Sequence, residues 1–363
     1  MHIAVVAPLV TPIREPQLGG SQAVVADLAR GLADRGHEVE VYAASGSVIP
    51  GVTVVDTGVD AEALSNLLYR ADRPSAADSH AGDAAFRTVF DAINRVRYDV
   101  VHNHAFDPPA VRFACTVEMP VIHTLHLPPD ATMASALEQA SRSANPPTIA
   151  TVSKAAAAGW RRLARVDVVL PNGVPVKQIP WSETGGGHLL FAGRFSPEKG
   201  AAHAIAIARE AGVPIDLYGE PYDADYARDE VGRHSGEPDI TIHGGVPRTE
   251  IWKLMARACA VLCPARWEEP FGMAAAEAQA AGTPVIAYDC GALAEVVRHG
   301  KTGFLVPPDD VVGAAERVGQ VAMIKRADCR RHAEANLNLE AAITAHERLY
   351  NQVRFRTRAK SRD

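Results

Sequence analysis

Short, fully apolar runs alternate with helical patterns along most of the chain, which predicts a parallel sheet with helices on both faces. Residues 3–7 are apolar throughout and read as a buried strand. A loop with proline and glycine follows. Ser21 is then placed to cap a helix in which Val24, Val25, Leu28 and Leu32 recur at helical spacing. Arg35-Gly36 ends that helix, and residues 39–43 form the next strand. Further strands are expected at residues 100–102, 121–124, 149–152 and 168–170. Residues 62–97 carry a helical pattern broken by Pro74 and a Ser/Ala/Asp-rich patch, which reads as a mobile loop.

The pattern breaks at Pro171-Asn172-Gly173. Residues 178–187, with Pro180 and the triplet Gly185-Gly186-Gly187, read as a linker. Beyond it the scheme restarts: strand 189–192, loop 193–200, helix 201–211 and strand 215–218. Strands at 240–243, 260–263, 284–288 and 304–306 complete the second half. Two halves thus repeat one architecture, with boundaries at 1–180 and 181–340, followed by a helix and basic tail over 341–363.

Length agrees, since 363 residues suit two domains at about 150 residues each. Hydrophobic residues at 47 % and charged residues at 22 % are ordinary for a soluble globular chain and exclude a disordered one. The net charge of −6 argues against a nucleic-acid partner. Five cysteines do not make a disulfide framework; they read as small buried hydrophobes in a reducing compartment. The N-terminus lacks a basic stretch, and its apolar run stops at Pro8, too early for a signal peptide. No run approaches the roughly 18 apolar residues of a membrane span, so a cytoplasmic protein is expected. The tail residues Arg354, Arg356, Arg358, Lys360 and Arg362 read as solvated, with a peripheral membrane contact as the less favoured alternative.

Some familiar fingerprints fail. No G-x-G-x-x-G opens a helix, as nicotinamide-binding sheets require. Gly300-Lys301-Thr302 resembles the end of a phosphate loop, but the position of its first glycine holds Glu295, leaving a turn between helix and strand. His102-Asn103-His104 has no companion carboxylates, and no metal site is expected.

Three segments carry chemistry. In Glu269-Pro270-Phe271-Gly272-Met273-Ala274-Ala275-Ala276-Glu277, Pro270 suits a first helical position, which sets Glu269 at the helix mouth. Glu277 then falls about two turns inside on nearly the same face. The open amides of Phe271, Gly272, Met273 and Ala274 favour an anion, and Glu269 suits sugar hydroxyls. An acidic residue merely complementing the helix dipole is the plain alternative. In Gly193-Arg194-Phe195-Ser196-Pro197-Glu198-Lys199-Gly200, two cations sit on one loop after a buried strand, where open α/β sheets bind ligands. An arginine fork beside a lysine suits a diphosphate, and a surface salt-bridge loop is the alternative. Gly19-Gly20 allows close approach of backbone to a ligand before the first helix.

Together these segments resemble the retaining glycosyltransferases of family four. Arg35-Gly36-His37-Glu38-Val39, Val101-His102-Asn103-His104, Thr124-Leu125-His126, Val152-Ser153 and Pro171-Asn172-Gly173-Val174 are similar to that family's patterns. So are Gly282-Thr283-Pro284-Val285-Ile286 and residues 300–307, and the Glu269/Glu277 pair matches its E-x7-E. Two positions depart: Cys290-Gly291 stands where two glycines are frequent, and Met273 where leucine is.

The resemblance implies a GT-B fold, two Rossmann-like doubly wound α/β domains facing each other across a cleft, with the last helix packed back on the first domain. It implies that Arg194 and Lys199 hold a donor diphosphate, with Gly19 and Gly20 approaching the phosphate from the first domain. Glu277 would take the ribose hydroxyls, and Glu269 the donor sugar beside the amides of Phe271 to Ala274. Residues 244–246, Val246 among them, would pass the base, and His126 would lie near the reacting carbon. The implied activity is sugar transfer from a nucleoside-diphosphate sugar, UDP-linked, to an acceptor hydroxyl with retention and without metal or cofactor. The acceptor would dock on loops such as residues 9–18 and 64–83. A GT-B sugar-nucleotide epimerase and a non-catalytic nucleotide-sugar sensor are the alternative functions.

Overall fold

The structure is a computed structural model in which residues 1–61 and 76–360 are described, with no side-chain account for 76–80 and 356–360. The chain forms two compact units. One comprises Met1–Arg14, Ser21–Pro171 and Glu340–Asp363, the other Glu15–Gly20 and Asn172–Leu339. The chain therefore passes into the second unit at Asn172, ahead of the boundary at 180. The segment Glu15–Gly20, expected in the first domain, groups with the second unit.

The first unit holds a parallel sheet of β1 (His2–Val6), β2 (Glu38–Ala43), β3 (Thr53–Asp56), β4 (Val100–Asn103), β5 (Val121–Leu125), β6 (Thr148–Thr151) and β7 (Val168–Val169). The order β3-β2-β1-β4-β5-β6-β7 reverses between β1 and β4. β1 has neighbours on both edges, with Ile3 beside Val39 and Val100, and its four apolar residues are fully buried. That is why it reads as a continuous apolar run and not as an alternation. β3 escapes the apolar pattern because Thr53 and Asp56 at its ends are exposed and it lies at the sheet edge.

The second unit repeats the plan with β8 (Leu189–Ala192), β9 (Ile215–Tyr218), β10 (Ile240–His243), β11 (Ala260–Cys263), β12 (Val285–Tyr288) and β13 (Gly303–Val306). Its order β10-β9-β8-β11-β12-β13 reverses between β8 and β11. In such sheets the crevice beyond the carboxyl ends of the two switch strands is the ligand position. The core packs Leu189, Phe191, Ile205, Leu217, Leu262 and Tyr288 between sheet and helices.

Four expectations need correction. The Ser/Ala/Asp-rich patch is not a loop over its described part, because Ala76–Asn94 is one helix; Pro74 lies outside the described residues. Alanines there favour the helix enough to absorb the polar residues between them. Residues 178–187 are not a free linker: the Gly186 N–H donates to the Arg257 carbonyl at 2.6 Å, and Arg326 Nε donates to the Ser182 carbonyl at 2.8 Å. Of the five cysteines, all unpaired, Cys329 is buried, and Cys115, Cys259, Cys263 and Cys290 are only partly so. The basic tail begins inside a helix, Leu339–Lys360, and Arg354 is not simply solvated, since it binds Asp99 Oδ1 at 2.6 Å. The side chains of Arg356, Arg358 and Lys360, and the whole of Arg362, lie outside the described residues.

That final helix is tied to the first unit by more than Arg354. Arg35 donates to Glu347 at 2.6 Å and to Glu340 at 2.8 Å, and His102 Nδ1 lies 2.7 Å from the Tyr350 hydroxyl. Among the described residues no helix is long and apolar enough to cross a membrane.

Candidate active site

In the second unit, every loop leaving a carboxyl end near the switch point brings a charged or aromatic side chain. The loop after β8 carries Arg194, Glu198 and Lys199. The loop after β9 carries Glu220 and Tyr222, and the one after β10 leads to Arg248. The loop after β11 carries Trp267 and Glu269.

Lys199 Nζ lies 2.7 Å from Glu269 Oε2, and the Trp267 indole N–H donates to the same oxygen at 2.9 Å. The Lys199 ammonium also stands 4.7 Å from the centre of the Trp267 ring, a cation–π contact. Arg194 donates to Glu198 Oε1 at 3.1 Å, and its guanidinium carbon lies 4.3 Å from the Tyr222 ring centre. Its Nε is buried and without a hydrogen-bond partner, a donor left over in a charged pocket. Burial pushes the Glu269 carboxyl up. The Lys199 charge and bond, the Trp267 N–H and the Arg194 charge outweigh that and hold it below its ordinary value. A carboxyl group held below its ordinary value thus lies beside two basic side chains.

The helix of this segment starts later than its proline suggests. It spans Met273–Ala280, and Gly272 before it has φ +94, a backbone region closed to most residues. A Cβ on Gly272 would also stand 2.8 Å from Leu293 Cδ2. Pro270 is therefore not a first helical residue, and Glu269 lies in the preceding loop. The two glutamates do not share a helix face. Of the amides expected at the mouth, Met273 and Ala274 are in the first turn, where N–H groups lack intrahelical partners, while Phe271 and Gly272 precede it. Glu269 is instead held by its backbone. Ala292 N–H donates to its carbonyl at 2.8 Å, and a Cβ on Gly291 would come within 2.4 Å of its backbone N and O. Gly291 thus keeps the one glycine of the Cys290-Gly291 pair that this contact requires.

Glu277 is buried inside the helix and accepts a hydrogen bond from Arg248 Nε. Arg248 lies 5.0 Å from the Trp252 ring centre, and its backbone N–H donates to Glu15 at 2.9 Å. Val246 is partly exposed two residues earlier. The neighbouring Gly245 N–H donates to Glu220 Oε1 at 3.0 Å. Gly20, like Gly19 in the segment that groups with this unit, lies against Met273: a Cβ on it would meet Met273 Cγ at 3.2 Å.

In the first unit, His104 and His126 follow β4 and β5. His104 Nδ1 lies 2.8 Å from His126 Nε2, and His102 Nε2 lies 2.7 Å from the Thr124 hydroxyl. His102, His104, His123, His126 and His346 are all buried. Burial pushes His126 down to about 4 and His123 to about 3, and holds His102, His104 and His346 low as well. These rings are neutral at ordinary pH. Asp107, also buried, is pushed up to about 7 by desolvation, and its Oδ2 has no hydrogen-bond partner. No group of three or more His, Cys, Asp or Glu is placed to hold a metal among the described residues.

Residues 18–178 match the family described as Glycosyltransferase Family 4, and residues 179–336 match Glycosyl transferases group 1. The phosphatidyl-myo-inositol mannosyltransferase of Mycolicibacterium smegmatis is 30% identical over 315 residues, covering 82% of this chain and 79% of that protein. The chain belongs to glycosyltransferase family 4. A further family 4 likeness is local: the glycogen synthase of Mycobacterium tuberculosis (strain CDC 1551 / Oshkosh) is 31% identical over 197 residues, 50% of this chain. The chain spans 47% of that relative's length. Among solved structures, Anabaena Alr3699/HepE in complex with UDP and glucose superposes with TM-score 0.75 at 19% identity, covering 97% of this chain and 99% of that one. The fold of this family 4 member is GT-B, two α/β units each built on a parallel sheet.

The structure brings Arg194, Lys199 and Glu269 together, and places Glu277, Met273 and Ala274 on one helix of the same unit. His126 belongs to the other unit. Trp267, Arg248 and Tyr222 escaped the sequence reading. Trp267 carried a usable signal, an indole two residues before a candidate acidic site residue. Arg248 and Tyr222 carried none, because only the sheet order brings the loops after β9 and β10 to this place.

Proposed function

We propose that this chain transfers a sugar from a UDP-sugar to an acceptor hydroxyl with retention of anomeric configuration and without a metal ion. The observation that carries this is the cluster of Arg194, Lys199 and Glu269 at the switch point of the second sheet, two basic side chains beside one carboxylate. Arg194 and Lys199 would bind the diphosphate and stabilise the charge that grows on it as the sugar leaves, the work a metal does elsewhere. The amides of Met273 and Ala274 would add to that pull. Glu269 would accept from a sugar hydroxyl and Glu277 from the ribose, with Val246 along the base and Gly19, Gly20, Phe271 and Gly272 lining the phosphate and sugar.

In the step itself, the bond from the anomeric carbon to the β-phosphate oxygen breaks through an oxocarbenium-like state. The acceptor oxygen bonds to the same face, and its proton passes to the departing phosphate oxygen. His126 suits such a centre, because a ring kept neutral by burial adds no positive charge beside a developing cation. The name of the Anabaena neighbour, with UDP and glucose bound, supports UDP as the nucleotide, and those of the mannosyltransferase and glycogen synthase support a hexose. The epimerase alternative gains no support: Glu269, Glu277 and Glu198 each bind a cation, which suits positioned acceptors and not a free acid/base pair.

The test is release of UDP from a panel of UDP-hexoses in the presence of a strong chelator. We expect release from at least one donor at an undiminished rate. Release that vanishes on chelation and returns with magnesium or manganese would show that the cation cluster is not the charge stabiliser.

A further inference from the structure

Glu269 presents its two oxygens unequally. Oε2 takes both donors of the cluster, Lys199 at 2.7 Å and the Trp267 indole N–H at 2.9 Å. Oε1 takes no hydrogen bond among the described residues, while the side chain keeps 12% of its surface accessible. The saturated oxygen is therefore the anchored one, and the other is open to a ligand. The two anchors differ in kind. Lys199 sits on a flexible four-carbon stem, and a diphosphate would compete for its ammonium. The indole is rigid, with two side-chain torsions, and its N–H has no second acceptor among the described residues. Its ring face also holds the Lys199 ammonium at 4.7 Å, which keeps that charge near the cluster even when its bond to Glu269 loosens.

We propose that Trp267 is the positioning residue for the sugar-facing carboxylate: its indole N–H fixes Oε2 of Glu269 so that Oε1 is presented to a hydroxyl of the donor sugar, and it holds that orientation when Lys199 turns to the diphosphate. This rests on the proposed binding of a UDP-sugar donor. Before donor binds, Glu269 has two anchors; afterwards it has one. Trp267 therefore matters little to free UDP and much to turnover of the sugar-bearing donor.

The first variant is Trp267→Phe, which keeps an aromatic ring beside Lys199 and removes the N–H together with the second ring. With UDP-glucose or whichever UDP-hexose the wild type turns over, kcat should fall about tenfold to a hundredfold, the range for one hydrogen bond to a charged group. UDP affinity by calorimetry should stay within about twofold. Loss of the N–H also removes a group that favours the ionised carboxyl, so the acid limb of the kcat–pH profile should move to higher pH. A merely structural tryptophan would not move that limb. Should Trp267→Phe fold poorly, the benzothiophene analogue of tryptophan at this position exchanges N–H for sulfur at nearly constant shape and should give the same kcat loss and pH shift. A wild-type enzyme that turns over donor, beside a folded Trp267→Phe enzyme with the same kcat and the same acid limb, overturns the inference alone. A wild-type chain that neither binds UDP nor releases it from any UDP-hexose overturns the donor reading and this inference together.

Discussion

The polar clusters of the two units are held differently. In the first, five histidines crowd together with no acidic hydrogen-bond partner among the described residues, and burial removes their charge. Asp107 follows the same rule from the acidic side, its neutral form favoured up to about pH 7. In the second unit the two site glutamates meet cations: the half-buried Glu269 meets Lys199, and the buried Glu277 meets Arg248. An isolated buried ion is costly, so a protein discharges it or pairs it. The histidine cluster of the first unit is discharged, although Asp27 there pairs with Arg30 at 2.5 Å, and the two site glutamates of the second are paired. The paired charge beside a sheet switch point, which a diphosphate needs, lies in the second unit, while the histidine cluster of the first offers neutral hydrogen-bonding rings.

The largest effect should come from breaking the paired side. Arg194→Ala with Lys199→Ala should cut donor turnover by about 10²–10³-fold or more. UDP affinity should fall at least about tenfold for each lost charged contact. Calorimetry on the folded double variant would reject the pairing of these cations with diphosphate if UDP bound as tightly as before.

On the neutral side, His126→Ala should lower turnover by about 10²-fold and leave UDP affinity nearly unchanged. His123 is the control, in the strand that ends just before His126. Both its ring nitrogens are buried without a hydrogen-bond partner, so His123→Leu should keep activity and hold or raise the melting temperature. A dead, folded His123→Leu enzyme beside an active His126→Ala enzyme would reverse the assignment.

A smaller split should separate the two glutamates. Glu277→Gln should weaken UDP binding by about tenfold, because ribose contacts act in ground and transition states alike. Glu269→Gln should spare UDP and lower kcat. Equal losses of UDP affinity in both variants, with kcat intact, would remove the sugar role from Glu269.

The last effect is on stability against pH and leaves turnover aside. A histidine neutral in the folded chain and titrating near about 6.5 when unfolded binds more protons unfolded, so stability is complete above about pH 6.5 and falls as pH drops toward the folded value. For His123 that value is about 3. Chemical denaturation of His123→Leu should therefore show a shallower acid loss than wild type, by about 1.4 kcal/mol per pH unit, between about pH 6 and 4. Parallel curves would mean that His123 is protonated in the folded chain.

Much of this architecture was legible in local pattern. β8 and β11 coincide with their apolar runs because central parallel strands must be apolar on both faces. Arg194, Lys199 and Glu269 were legible because each sits on a loop after such a strand. The start of the helix at Met273 was not, because Pro270 signals a helix and the left-handed backbone of Gly272, at φ +94, interrupts it. Nor was the Arg248–Glu277 pair, which joins residues from different elements across the sheet end. The neutrality of His126 depends on burial among other histidines that only the fold brings near.

One measurement bears on the central reading most directly: proton NMR of the anomeric signal during hydrolysis of a UDP-α-hexose by the wild-type chain in chelator, with water standing in for the acceptor. The account predicts that UDP appears together with the α-anomer of the free sugar, ahead of its mutarotation to the β form. First appearance of the β-anomer would contradict retention, and absence of UDP from every UDP-α-hexose, with no UDP binding, would contradict the donor reading itself.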